Sequence, residues 1–137
     1  MALIRTIVGV ENVIRNIRKT KSRLASGVEK GVKRAGLYLL AESQKLVPVD
    51  TGNLKASGVM RATGKGFNTN ANVAYTAAYA LFVHENTEMK LKGQPRPGGR
   101  GHYWDPQGRG RSKFLEYPAR TLAPKLRQII RDSARIT

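Results

Sequence analysis

The first residues to consider for chemistry are His84 and Glu85, a neighbouring imidazole and carboxylate. The pair resembles the start of a zinc-protease helix, in which a second histidine four residues after the first completes the metal site. No histidine stands at that spacing, and His102 is the only other one in the chain. The sequence therefore predicts no metal-binding residues.

Other catalytic patterns are missing as well. The Gly64-Lys65-Gly66 segment is too short for a phosphate-binding loop and suits a hairpin turn better. The chain has no cysteine, which excludes a thiol nucleophile, a disulfide and a cysteine-ligated metal. No serine stands in a recognisable nucleophile turn. We therefore expect no enzymatic activity, no cofactor and no small-molecule substrate.

The charge of the chain is its most unusual bulk property. The formal net charge is +16 and the isoelectric point is near 10.9. Residues 1–47 hold ten Lys and Arg against three acidic residues, whereas residues 48–87 hold three against two. Basic flanks around a nearly neutral middle are typical of a protein that contacts nucleic acid, an acidic protein surface or both.

Length and hydropathy limit the architecture. The chain has 137 residues, of which 40% are hydrophobic, and this predicts one domain with a modest core. No apolar run approaches the roughly 20 residues of a membrane-spanning helix. The first residues lack the apolar core and cleavage site of a signal peptide. We expect a soluble, unexported protein without membrane contacts.

The elements that must position these residues begin with a long basic helix over 11–46. Val13, Ile17 and Leu24 recur at helical spacing, with Arg and Lys on the remaining positions. Pro48 disfavours helical geometry at the preceding residue, so the helix should stop at about residue 46. Residues 1–10 are apolar and β-branched, which predicts a short strand or an extended arm.

Small residues recur within this helix at Gly27, Gly31 and Ala35. Residues four apart share one helical face, so another backbone could approach closely there, and we take this face as a candidate contact with a neighbouring subunit. Each glycine costs roughly 1 kcal/mol of helix propensity relative to alanine. We therefore favour a break or bend between residues 25 and 28, with one continuous helix as the alternative.

A densely specified corner follows the helix. Asp50 can accept a hydrogen bond from a backbone N–H two residues on, and Gly52 can adopt a positive φ without steric cost. Leu54 restarts the apolar pattern after the turn. The predicted corner, which we interpret as scaffold, therefore comprises Pro48, Asp50, Thr51, Gly52 and Leu54.

Residues 54–87 predict a small antiparallel sheet. Ala56–Thr63 and Val73–Thr76 have strand composition and are separated by turn residues. Residues 77–85 fit a strand, because Tyr79, Leu81 and Val83 alternate, and they fit a helical face equally well. Both interpretations stay open. The overall prediction is an α+β fold, with the sheet packed against the long N-terminal-half helix and a C-terminal helix over 114–137.

Residues 88–113 have the composition of a long basic loop. Tyr103 and Trp104 among arginines suit stacking on single-stranded nucleic acid. We favour the alternative, a solvated loop with one aromatic anchor that docks on its own domain or a neighbour. In the tail, Pro124 is tolerated in a first helical turn, so the last helix should begin with Thr121 as its N-cap. The arginines proposed to contact DNA or an acidic partner are Arg96, Arg100, Arg109 and Arg111.

Three segments together resemble the tail-completion, or head–tail joining, proteins of tailed bacteriophages. They are Pro48-Val-Asp-Thr-Gly-Asn-Leu-Lys-Ala-Ser, the segment Tyr75…Tyr79-Ala-Leu-Phe-Val-His-Glu-Asn-Thr87, and Lys113-Phe-Leu-Glu-Tyr-Pro-Ala119. Their order and spacing cover roughly residues 25–135. Asn86 stands where that family commonly has glycine, and Asn also tolerates a positive φ.

The resemblance implies a non-enzymatic virion protein, assembled in the host cytoplasm and located in the neck or tail. It implies a homo-oligomeric ring of six around the DNA channel, between a head-side connector or adaptor ring and the tail tube or terminator proteins. A tail-terminator or head-closure ring is the nearest alternative, and a small basic nucleic-acid-binding protein is the alternative from another class. Further candidate contacts are Tyr79, Glu85, Thr87, Trp104 and Phe114.

Overall fold

The computed structural model describes residues 2–49, 52–87, 97–99 and 110–135. It confirms the predicted mixed fold, in which a two-stranded antiparallel sheet packs against a long N-terminal helix and a C-terminal helix lies beside them. The elements in chain order are α1 (Ala2–Leu46), α2 (Asn53–Ala56), β1 (Gly58–Thr63), β2 (Asn70–Tyr75), α3 (Ala80–Glu85), α4 (Glu116–Thr121) and α5 (Ala123–Ala134).

The ends of α1 confirm one prediction and correct another. The helix ends at Leu46, two residues before Pro48, as predicted. It begins at Ala2, so the prediction of a strand or extended arm over 1–10 is wrong. Once a helix is nucleated, each further residue adds one hydrogen bond. The weak strand preference of the β-branched residues does not outweigh that gain.

No break occurs near Gly27, and the predicted bend is wrong because α5 packs closely against this part of α1. A Cβ added at Gly27 would lie 2.7 Å from the Ser133 carbonyl oxygen, and one added at Gly31 would lie 2.8 Å from the Ile130 Cα. The contacts run in opposite directions along the two helices, which are therefore antiparallel. Only glycine permits this backbone approach, and the packing offsets its low helix propensity.

The hairpin of β1 and β2 packs its inner face on α1. Met60 lies opposite Val73 and Ala62 lies opposite Ala71. A Cβ added at Gly36 of α1 would lie 2.8 Å from the Ala71 Cβ and 3.0 Å from the Met60 Cγ. The sheet therefore sits almost directly on the helix backbone. This support matters because an isolated two-stranded hairpin is marginally stable.

The open question at residues 77–85 is settled in favour of a helix, since α3 spans Ala80–Glu85. Ala80 is buried and joins the central core, a cluster formed with Val47, Leu54 and Phe114. The Phe114 ring is 1% exposed. It therefore anchors the segment before α4 in the middle of the domain.

The C-terminal part forms two helices that meet at Leu122. Leu122 is the N-cap of α5, so the prediction of Thr121 as N-cap is wrong. The Thr121 hydroxyl instead donates to the Tyr117 carbonyl within α4, at 2.9 Å. Pro124 lies in the first turn of α5, where it was predicted to be tolerated. No helix among the described residues is both long enough and apolar enough to cross a membrane.

Candidate assembly interface

The three segments that carry the phage resemblance meet in the central core. Leu54 comes from the corner, Ala80 from the middle segment and Phe114 from the third, and Val47, just before the corner, joins them. The Phe114 ring makes edge-on contacts with Tyr75 and His84, at centroid distances of 4.9 and 5.0 Å. Perpendicular aromatic contacts of this kind add stability beyond the area they bury.

At the corner, Gly52 has φ +85°, in agreement with the predicted positive φ. Its carbonyl accepts the Ala56 N–H at 2.9 Å and so starts the short helix α2. The Ser57 hydroxyl donates to the Leu54 carbonyl at 2.7 Å. Leu54 is 5% exposed, which makes it a core residue. Asp50 and Thr51 lie outside the described residues.

A polar cluster beside the core joins α3 to α4, and it consists of His84, Glu85, Lys113 and Glu116. The Glu116 N–H donates to His84 Nε2 at 3.2 Å. His84 Nδ1 therefore carries the ring proton and donates it to Glu85 Oε1, 2.7 Å away. Lys113 pairs with Glu85, and its Nζ lies 3.2 Å from Glu116 Oε2. The cluster ties the end of α3 to the start of α4.

Within this polar cluster, the Lys113 ammonium lies between the carboxylates of Glu85 and Glu116. Hydrogen bonds from Lys113 and then from His84 hold the pKa of the Glu85 carboxyl below its usual value. The hydrogen bond to Glu85 likewise raises the pKa of the Lys113 amine. The shifts stabilise the charged forms of both groups.

The same cluster contains the one trio of metal-ligand side chains found among the described residues. Ligand atoms of His84, Glu85 and Glu116 lie within 4.8 Å of one another. The Lys113 ammonium already pairs with both carboxylates, and the lone pair of His84 Nε2 accepts the Glu116 N–H. A cation would have to displace Lys113 and break that hydrogen bond. The arrangement therefore suits a structural clasp between helices.

Several predicted contact residues are not available to another subunit. Gly27 and Gly31 are covered by α5 of the same chain. Ala35 is 6% exposed and Phe114 is 1% exposed, so both belong to the interior. Their assignment to a subunit interface is corrected: Gly27 and Gly31 pack against the chain's own α5, and Phe114 packs in the chain's own core.

Other predicted residues remain on the surface. Tyr79 is 46% exposed, and Thr87 is also exposed. Glu85 is exposed as well, but its carboxylate is engaged by Lys113 and His84. The predicted positions that lie outside the described residues are Arg96, Arg100, Trp104 and Arg109.

Arg111 is the one predicted basic contact that the structure describes. Its guanidinium carbon lies 3.8 Å from the centroid of the Tyr117 ring, a cation–π contact. Its backbone N–H donates to the Leu46 carbonyl at 2.9 Å. Arg111 thus links the end of α1 to α4, and its side chain stacks within its own chain.

The sequence missed an exposed apolar surface on α3. Leu81 is 73% exposed and Phe82 is 70% exposed, next to the half-exposed Tyr79. We call these three residues the α3 patch. Ala80 and Val83 face the core and fix the orientation of the helix. The sequence left strand and helix both open for residues 77–85, and neither interpretation alone identifies the side chains that α3 exposes.

Both outer edges of the hairpin are open, since no third strand pairs with it in the described part of the chain. The Thr76 N–H donates to the Ser57 carbonyl at 3.1 Å. Hydrogen-bonded pairs alternate along an antiparallel ladder. The Arg61–Asn72 pair is therefore hydrogen-bonded across the hairpin. The backbone N–H and C=O groups of Ala62 and Ala71 point away from the partner strand, toward the outer edges. Beside β2, an open apolar cleft of about 280 Å³ is lined by residues that include Val73, Leu126 and Ile130.

Comparison of the chain with protein-family models, with curated proteins and with solved structures found no match.

Proposed function

We propose that this protein is a non-enzymatic subunit of a ring that joins the head of a tailed phage to its tail. The observation that carries the proposal is the meeting of the three resemblance segments in one core, through Leu54, Ala80 and Phe114. Segments far apart in sequence resemble the same family and also pack on one another. Their residues act as scaffold, and the surfaces that they position do the joining.

The open hairpin supports a specific way of closing the ring. The β1 edge of one subunit pairs with the β2 edge of the next, which is a head-to-tail contact that closes by rotation. Apolar side chains of the incoming strand can enter the cleft beside Val73, while the α3 patch offers a second apolar contact. Six copies complete the ring, as the resemblance implies.

The net charge of +16 fits a position between acidic protein surfaces. DNA has to slide through the channel of such a ring, and each neutralised phosphate strengthens binding by releasing counterions. A channel densely lined with lysine and arginine would hinder that movement. Most of the basic residues therefore face the head-side and tail-side partners, and a minority line the channel.

The same charge supports the rival role of a standalone nucleic-acid-binding protein. That role predicts strong DNA retention by the isolated protein and a steep decrease in affinity with salt. The ring subunit predicts weak retention and affinity for the end of the head or tail. A tail-terminator or head-closure ring shares the latter prediction and differs in which end is bound.

The direct test is an early stop codon in the gene, introduced in the phage that carries it. We expect filled heads and separate tails that do not join, and joining restored by purified full-length protein. Normal particles from the stop-codon phage would contradict the proposal. Adding the purified protein to heads alone and tails alone then identifies the end that it binds.

A further inference from the structure

Residues 9–23 of α1 stand clear of the domain. Every residue from 9 to 23 is exposed, and the body of the domain begins at the half-buried Leu24 and Ala25. We call residues 9–23 the α1 overhang. At a rise of 1.5 Å per residue it extends about 22 Å.

The α1 overhang carries an unpartnered apolar stripe. Val10, Val13, Ile14 and Ile17 are 50%, 56%, 43% and 60% exposed. Together with Leu24, they fall within an arc of about 100° on the helix. Val13, Ile17 and Leu24 also line a shallow depression of about 460 Å³. One side of the helix is therefore shaped to receive an apolar surface.

The stripe continues the face that α5 already covers. Ile17, Leu24 and Gly31 follow at intervals of seven residues, which shifts the direction on the helix by only about 20° each time. Gly31 packs against Ile130 of α5, and α5 ends at Ala134 beside Gly27. A helix laid end-on beyond α5 would therefore lie along the stripe. The geometry of the α1–α5 contact provides the template for it.

The charge and composition of the α1 overhang indicate which kind of partner binds its apolar stripe. Residues 9–23 hold five basic residues and one acid, with Arg18 at the border of the stripe and Lys21 within it. The apolar residues are all valine and isoleucine, which are stiff and suited to helix packing. The Trp, Phe and Leu favoured by helices that lie on membranes are absent from 9–23. A second copy would bring like charges together.

We infer that the α1 overhang binds an acidic amphipathic helix of another protein, which packs its apolar side on Val13 and Ile17 and places carboxylates near Arg18 and Lys21. This surface lies apart from the hairpin edges. The inference therefore stands whether or not the ring proposal holds.

The test uses the full-length protein and a labelled synthetic helix of about three heptads, with leucine and isoleucine on one face and glutamate beside it. Fluorescence anisotropy measures binding. V13A/I17A should weaken binding about tenfold or more, because it removes buried methyl groups. The matched control N12A/S22A alters the opposite face and should stay within about twofold. Circular dichroism should be the same for all variants, because the substituted residues are exposed.

Charge reversal on the α1 overhang provides an independent test. The R18E/K21E variant should no longer bind the acidic synthetic helix. It should instead bind a helix in which lysine replaces each glutamate. Equal binding of both helices by the wild type, or no effect of V13A/I17A, would overturn the inference. Stripe-dependent binding to phosphatidylglycerol vesicles without binding of the acidic helix would identify lipid as the occupant. A dimer that V13A/I17A dissociates would identify a second copy, and either result would also overturn it.

Discussion

Replacement of Gly31 by alanine tests the close backbone packing of α5 on α1. The new Cβ would lie 2.8 Å from the Ile130 Cα, 3.0 Å from the Ile130 carbonyl oxygen and 3.0 Å from the Ser133 Cβ. Carbon atoms prefer separations of about 3.5 to 4.0 Å. Two of the three atoms belong to the backbone, so α5 must shift as a unit by several tenths of an ångström.

Two opposing contributions, helix propensity and overpacking, decide how Gly31→Ala changes the free energy of unfolding. Alanine gains about 1 kcal/mol of helix propensity over glycine. Overpacking a close contact typically costs about 1 to 3 kcal/mol, and a contact with backbone lies at the upper end because no rotamer change relieves it. We expect Gly31→Ala to lower the free energy of unfolding by about 1 to 2 kcal/mol. That is a substantial part of the stability of a small domain.

The same helix offers a matched control. A Cβ added at Gly9 meets nothing within 4 Å, so Gly9→Ala should keep only the propensity gain and leave stability equal or higher. Urea unfolding of both variants measures the difference, and hydrogen exchange should rise in α5 for Gly31→Ala alone. If Gly31→Ala is as stable as Gly9→Ala, the close α1–α5 packing described here is refuted.

Three further variants test the core, the polar cluster and the α3 patch. Phe114→Ala should cost about 3 to 5 kcal/mol in urea unfolding, because the ring is fully buried between Tyr75 and His84; a cost below about 1 kcal/mol would contradict that role. The lowered pKa of Glu85 gives a stability contribution that is present above the unfolded-state pKa and lost as pH falls through the folded-state value. Glu85→Gln should therefore flatten the acid limb of stability against pH, and an unchanged limb would count against the clasp. L81S/F82S should change monomer stability by less than about 0.5 kcal/mol and weaken assembly in sedimentation runs; unaffected assembly would remove the α3 patch from the interface.

Local signals in the sequence predict the end of α1 and the hairpin, but they do not identify which elements pack together. Pro48 predicts the end of α1 because its ring acts on the residue beside it. The Gly27 and Gly31 spacing predicts close packing, but it contains nothing that identifies α5 as the occupant. The predicted bend failed for the same reason, since a distant helix supplies the compensation for glycine.

In the candidate site, too, the sequence identifies the segments but not the contacts between them. The corner, the middle segment and the third segment could be found by composition and resemblance, while their meeting at Phe114 depends on tertiary packing. Phe114 is among the predicted partner contacts, and the structure shows that it is a core residue. The sequence does not predict the exposure of Leu81 and Phe82, because a strand pattern and a helix pattern assign them to different faces.

One pair of variants tests the proposal that subunits join through the open edges of the hairpin. Ala62 directs its N–H outward and Arg61 directs its N–H to β2, as the alternation of the ladder requires. Ala62→Pro should preserve the monomer fold and abolish assembly, whereas Arg61→Pro should disrupt the hairpin itself. Sedimentation velocity and electron microscopy of the full-length chain should give a closed ring of about 90 kDa from the 15.1 kDa subunit and only monomers for Ala62→Pro. A wild type that stays monomeric, or an Ala62→Pro variant that still forms the ring, would contradict the account.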